Sequence, residues 1–472
     1  MNVAIVGASG FIGLKLVEYL LDTSPYTVLA LSRNPLPINI MKKYPRLRWR
    51  SVDLHNLLTL EQALEGIHVA IYLVHSMLPS ARLNQGNFAD FDLSLADNFG
   101  RAAYRAGIRQ VIYLSGLIPD REKLSLHLQS RREVEEVLKS YIPKLTTIRA
   151  GLIIGEGGSS FTIMYRLVQR LPLMICPTWT QSICQPIFVD DVIRVLAYCI
   201  DREECFGRIY DVGVQEKWTY LGLMKLTAKK MHRKVMFIVV PLFSPNLSRL
   251  WVSLVANAPK SLAYPLIQSL EEDMTTHPER TLSLPDGEFV HVDKSLSMVL
   301  QRYTSSQTTA QEKMPHAFIR SLRSTRQKSV RSIQRLSLPA GRDAEWVAQQ
   351  YMEWLPRFFK GLIKVTIKQQ TVTFFVKGLP LKLLILRYSP ERSQKDRQLF
   401  YVIGGLLAGH RNVRGRLEMR ETLGGRAIIV AVHDFVPALP WFLYRLTQAK
   451  VHSFVMSRFA GYVRLSDSIE AA

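Results

Sequence analysis

Acidic residues are scarce in this 472-residue chain: 39 Asp and Glu stand against 61 Lys and Arg, giving a formal charge of +22. Such an excess suits nucleic acid or an anionic membrane face, and charge alone does not choose between them. Cysteine is scarcer still. Cys176, Cys184, Cys199 and Cys205 fall in one stretch with no CxxC pair and no intervening histidine, so buried, reduced thiols are expected and no metal site. Long apolar runs are missing too. The best candidate for a membrane span, 427–444, is broken by His433, Asp434, Pro437 and Pro440. Basic leader, small-residue cleavage site and Arg-rich transit pattern are absent from the opening residues, which leads to an expectation of a cytoplasmic protein folding from its first residue. No fixed-period repeat occurs, which sets aside solenoids and propellers.

What is present is enough apolar sequence, 47%, for more than one core. Through residue 200, short β-branched runs at 3–6, 27–31, 69–74, 111–115 and 146–148 alternate with helix-like stretches such as 11–21 and 91–106. This is the rhythm of an α/β protein with a doubly wound parallel sheet, whose strands are buried on both faces. The division expected is 1–220 for that domain, 221–305 for a helical cap carrying Pro241, Pro245, Pro259 and Pro265, 306–343 for a basic linker, and 344–472 for an appended α+β domain. The linker earns its name from Lys313, Arg320, Arg323, Arg326, Lys328, Arg331, Arg335 and Arg342, with no acidic residue among them. Near-helical spacing of Arg320, Arg323, Arg331 and Arg335 also permits a basic amphipathic helix and peripheral contact with an anionic membrane at its inner face. In the last domain, strands are read at 362–367, 371–376, 383–386, 415–420 and 427–432. A Trp-bearing helix following them can either close over a hydrophobic ligand or simply pack.

Chemistry concentrates at the first strand-to-helix junction. Gly7, Ala8, Ser9, Gly10, Phe11, Ile12 and Gly13 place three glycines where backbone can approach a pyrophosphate and a helix N-terminus can meet its charge, the Rossmann-type arrangement. No Lys-Ser or Lys-Thr pair follows, which excludes a P-loop. At the end of the second strand, where an acidic residue usually holds the NAD ribose, stand Ser32 and Arg33. A cation there suits the 2′-phosphate and favours NADP over NAD. Asp53, followed by Leu54, is placed either to accept from an adenine amino group or to cap the next helix.

These residues resemble the extended and atypical short-chain dehydrogenases, including NmrA-like and sugar-nucleotide epimerase-like branches. GASGFIG resembles their glycine motif, Val52-Asp53-Leu54 their adenine-side aspartate, 112–116 their fifth strand, Arg149-Ala150-Gly151 with Ile154-Gly155 their sixth, and QPIFVDDV at 185–192 the segment beside the substrate pocket. The resemblance implies hydride chemistry on NAD(P) with a Tyr and a Lys four residues later. Here those positions hold His127 and Arg131 within HLQSR. Histidine can move protons near neutrality whereas arginine cannot titrate, so His127, Arg131 and the strand-end Ser115 read either as an altered catalytic set or as a helix anchor. The whole chain also resembles a bacterial subgroup of NAD(P)-binding proteins with a C-terminal domain of unknown function. The function expected is hydride transfer between NADP(H) and an unknown small-molecule substrate. The alternative is a non-catalytic redox sensor or an assembly factor at a membrane complex, and no nucleic-acid partner is expected.

Overall fold

The computed structural model describes residues 1–34, 38–76, 83–121, 124–240, 270–282, 284–285, 287–309, 329–409 and 414–470. They form two compact units, one built from residues of 1–76 and 95–309, the other from 83–94 and 329–470. The proline-bearing part of the cap, with Pro241, Pro245, Pro259 and Pro265, lies outside the described residues, as do Arg320, Arg323 and Arg326.

The chain opens β1 (Asn2–Val6), α1 (Phe11–Thr23), β2 (Thr27–Ser32), α2 (Ile38–Lys43), β3 (Leu47–Ser51), α3 (Leu57–Leu64) and β4 (Val69–Tyr72). After β5 (Leu83–Gln85) come α4 (Phe88–Arg105), β6 (Gln110–Gly116), α5 (Leu126–Tyr141), β7 (Leu145–Ala150), β8 (Ile153–Ile154), α6 (Ser159–Arg170) and β9 (Leu173–Pro177). Next are β10 (Ile183–Cys184), β11 (Ile187–Phe188), α7 (Val189–Tyr198), β12 (Ile209–Val212), β13 (Trp218–Thr219), α8 (Tyr220–Lys230), β14 (Met236–Val240) and α9 (Val292–Thr309). Seven strands make one parallel sheet in the order β12-β7-β6-β4-β1-β2-β3. Val3, Ile5, Ile71 and Ile112 on one face and Ala4, Val6, Ala70 and Val111 on the other are wholly buried, as a sheet covered on both faces requires. The order reverses beside β1, which puts the first glycine turn at the switch point where open α/β sheets bind ligands.

The second unit contains β15 (Val330–Ser337), α10 (Ala344–Phe358), β16 (Ile363–Lys368), β17 (Thr371–Val376), β18 (Lys382–Tyr388), β19 (Arg397–Gly404), β20 (Arg416–Thr422), β21 (Ala427–Phe435), α11 (Trp441–Leu446) and α12 (Gln448–Glu470). Its sheet runs β16-β17-β18-β19-β20-β21-β15-β5 and is antiparallel except for the β15–β5 edge. Two sequence expectations are corrected here. Residues 330–337, read as part of a basic linker, form a strand, and Arg331 and Arg335 are not on a helix: Arg331 meets Asp434 at 3.0 Å and Arg335 meets Asp90 at 3.0 Å. Counting charge along 306–343 concealed the apolar residues Val330, Ile333 and Leu336, all buried. The Trp-bearing helix and the C-terminal helix are also two elements, α11 and α12.

Alternation in β20 gives this sheet two unlike faces. Leu417 and Met419 join a core with Trp354 and Phe459 of α10 and α12, whose rings lie 5.2 Å apart. Arg416, Glu418 and Arg420 point the other way and are nonetheless buried. Buried charge must be paired. Glu418 accepts from Arg397 at 2.6 Å and lies 3.1 Å from Arg420, and Asp434 takes Arg416 at 2.8 Å. Burial works against the Glu418 charge, yet Arg420, Arg397 and His433 hold its carboxyl well below the usual range. Burial and then the Arg416 charge push His433 down to about 4.

Two predictions follow from this unit. Both shifts mean that the unfolded chain binds more protons, so stability rises with pH and is lost on acidification. Neutral His433 begins to destabilise the fold as pH drops below about 6.5 and does so down to about 4; Glu418 adds its loss below about 4.5. Thermal melts should therefore show the midpoint falling through that window, with a smaller fall in His433→Gln; a flat midpoint from pH 7 to 4.5 contradicts this pairing. Gly86 adopts φ +126° and a Cβ there would lie 2.1 Å from the Ile333 carbonyl oxygen. Gly86→Ala should cost roughly 2 kcal/mol or more in chemical denaturation by disrupting the β5–β15 edge, while Gly461→Ala in open space on α12 should be neutral or stabilising.

Candidate cofactor site and adjoining polar cluster

The glycine turn is built by backbone needs. Gly7 adopts φ +94°, and the backbone N–H groups of Gly7 and Ala8 both donate to Leu31 O, at 2.9 and 3.1 Å. A Cβ on Gly13 would meet Gly7 O at 2.5 Å and Ala8 Cα at 2.7 Å, so only glycine lets α1 begin this close to β1. Gly10 is the N-cap of α1 and no side chain caps it. The helix thus presents first-turn N–H groups and the positive end of its dipole with neither an acidic residue nor a cap in the way. That cradle fits a pyrophosphate. Ile12 is buried, Ser9 half-buried, and the Phe11 ring lies where a Cβ on Gly155 would sit, 2.6 Å from its tip, so small residues after β8 let the ring in.

At the end of β2, Arg33 is exposed. Ser32 faces inward instead: its hydroxyl donates to Asn34 O and accepts the Trp49 indole N–H at 2.9 Å. Trp49 and Asn34 thus engage the Ser32 hydroxyl beside Arg33. Asp53 accepts from the His55 N–H at 3.1 Å, and the cap of α3 is Asn56, not Asp53. Leu54 is half-buried, with its carbonyl receiving Asn98 at 2.8 Å.

The second cluster lies along β6 and α5. Ser125 caps α5, accepting from Leu128 N, and so orients its first turn, where His127 stands half-buried. Four residues on, buried Arg131 donates to the Tyr113 hydroxyl at 3.2 Å and contacts Nδ1 of His75, just beyond β4. His75 stacks on His127 with ring centroids 5.6 Å apart. Ser115 is the residue of the strand after Tyr113 on the same face. Its hydroxyl is buried and has no partner among the described residues.

Ser115, Arg149 and Asp211 are register partners on β6, β7 and β12. Arg149 is held by Glu135 of α5 at 2.7 and 3.0 Å; burial opposes its charge, but the Glu135 carboxylate outweighs it and raises the pKa. Burial raises the Asp211 carboxyl, against the His277 N–H at 2.9 Å and Arg280 at 3.4 Å. None of His75, Tyr113, Glu135, Asp211 or Arg280 was singled out by motif. The one legible signal was a charged Arg149 inside an apolar strand, LTTIRA, which in a doubly covered sheet demands a buried partner.

Among the described residues no group of three metal-binding side chains occurs, and no helix is long and apolar enough to cross a membrane. Residues 7–163 match the family model for NAD(P)H-binding domains. The chain is 25% identical over 247 residues to ceramide reductase of Caulobacter vibrioides, spanning 51% of this chain and 73% of that one. It is 29% identical over 123 residues to auxiliary protein GraX of Staphylococcus aureus, 26% of this chain and only 39% of that protein's length. Among solved structures, the triphenylmethane reductase of a Citrobacter species superposes with TM-score 0.51 at 14% identity, over 64% of this chain and all of that one. A nucleoside-diphosphate-sugar epimerase from Staphylococcus aureus does so with TM-score 0.51 at 13% identity, over 63% and 100%. Family model, strand order and glycine cradle fall on the same residues, so the first unit carries an NAD(P)H-binding domain with a Rossmann-type fold, similar to these reductases and epimerases.

Proposed function

We propose that the protein is an NADP(H)-dependent oxidoreductase in which His127 replaces the usual phenol as proton-transfer group. The observation that carries this reading is the Ser115 hydroxyl, buried with no partner among the described residues, on the strand face where α5 packs. Leaving a hydroxyl so costs about 1–3 kcal/mol, which a substrate oxygen would recover. Arg131 meets Tyr113, and α5 returns antiparallel to β6 as a crossover helix does. Two residues up the strand to Ser115 advance about 7 Å, and one turn back to His127 advances about 6 Å in the same direction. On that reading His127 and Ser115 would stand at one level, toward the carboxyl edge of the sheet where a nicotinamide would lie.

A bound dihydronicotinamide would supply hydride from its C4. Ser115 would donate to the substrate oxygen, and His127 would deliver the proton that the resulting alkoxide or phenolate needs. Arg131 acts through its neighbours: spent on Tyr113 and His75, it is a positioning residue that fixes the ring on which His127 stacks. At the other end, exposed Arg33 would face the 2′-phosphate and so select NADP(H). The ceramide reductase relationship makes a carbonyl the first substrate class to try, and the NADPH-dependent quinone oxidoreductase of Escherichia coli, a fold neighbour with TM-score 0.50 at 17% identity, makes quinones the second.

Calorimetric titration should give tighter binding of NADPH than NADH, and Arg33→Ala should weaken NADPH by about tenfold while sparing NADH. Turnover of a carbonyl and quinone panel should lose most of its kcat in His127→Ala. Arg131→Lys should shift the pH profile with little change in NADPH affinity. Tight NADPH binding with no turnover of any panel member would instead assign a cofactor-sensing role, and loss of preference for NADPH would refute the role given to Arg33.

A further inference from the structure

The last two helices of the second unit carry exposed apolar and basic side chains side by side. On α11, Phe442 is 65% exposed and Leu446 56%, with Leu443 beside them; on α12, Val451 is 54% and Phe454 52% exposed. These are large side chains on two consecutive helices separated by Thr447 alone, whose side chains Tyr444, Val455, Met456 and Phe459 are buried. The cations here are exposed as well: Arg445, Lys450 and Arg458. Lys450, Phe454 and Arg458 follow at helical i, i+4 spacing, and the Arg458 guanidinium lies 5.3 Å above the Phe454 ring. From residue 435 to 466 the sequence contains no Asp or Glu.

We infer that α11 and the first turns of α12 dock on an anionic lipid bilayer, with Phe442, Leu446, Val451 and Phe454 entering the headgroup boundary and Arg445, Lys450 and Arg458 meeting lipid phosphates. Two features fit that occupant together. Apolar side chains of this size gain by leaving water, and their stems and rings are interleaved with cations that reach outward to an anionic plane. A second copy of the chain fits poorly: two-fold pairing through this face would bring the same cations against themselves with no carboxylate between them. The surface is distinct from the basic stretch 313–328 and uses none of its residues.

The test uses the full-length protein in sedimentation with vesicles of phosphatidylcholine alone or mixed with phosphatidylglycerol, at low and high salt. Partitioning onto the mixed vesicles should exceed that onto neutral ones by about tenfold or more and should fall with salt. Phe442→Ser with Leu446→Ser should lower partitioning onto anionic vesicles by about tenfold. Arg445→Glu with Lys450→Glu should remove the preference for anionic lipid. All four substitutions are at exposed positions, and an unchanged thermal midpoint confirms that each variant folds. Equal partitioning onto both vesicle types, or variants that sediment like the parent protein, would overturn the inference. Sedimentation velocity supplies the remaining outcome: dimers that disappear in the Phe442/Leu446 variant, without vesicle binding by the parent, would assign the surface to a second copy.

Discussion

A guanidinium inside the first unit sets the terms for everything around it. Arg131 cannot lose its proton, so its burial obliges neighbouring elements to supply acceptors. Tyr113 of the strand and His75 beyond β4 do so, and His127 is then carried on the stacked ring of His75. A lysine at this place would be a mobile point charge free to reach a ribose. An arginine so committed becomes a post that holds the edge of the sheet in one arrangement. His127 and Arg131, standing where the dehydrogenases that this sequence resembles carry Tyr and Lys, thus have further residues arranged around them.

The same rule governs the second unit. Its sheet turns one face to an aromatic core and the other to a layer of arginines, each answered by Glu418, Asp434 or Asp90. Asp90 comes from a segment far earlier in the sequence than the rest of this unit, and β5 beside it completes the sheet edge. The second unit is therefore not an appendage that begins where the first stops. Its polar layer is incomplete without residues 83–94.

How much of this could be read from the sequence follows from what each feature rests on. Strands covered on both sides are visible as unbroken apolar runs, so 111–115 was found within a residue or two of Gln110–Gly116. The glycine turn was legible because three glycines at that junction have a backbone reason to be there. Val330–Ser337 was hidden by its arginines, which look solvated until Asp434 and Asp90 are brought to them from distant sequence. The partner of the Ser32 hydroxyl was hidden for a similar reason: Trp49 reaches it only across the β2–β3 pair. Local pattern reports periodicity and turn chemistry; it is silent on which polar group a long-range partner has already engaged.

The central claim is that cofactor binding at the β1–α1 turn and proton transfer at His127 belong to one site in the first unit. Hydrogen–deuterium exchange of the full-length protein with and without NADPH tests it most directly. The account predicts slowed exchange in peptides covering residues 7–16 and 113–131 together, with the second unit unchanged. Protection at the glycine turn alone would separate the cofactor from the His127 cluster and contradict the proposed chemistry. Protection at neither segment would contradict the site itself.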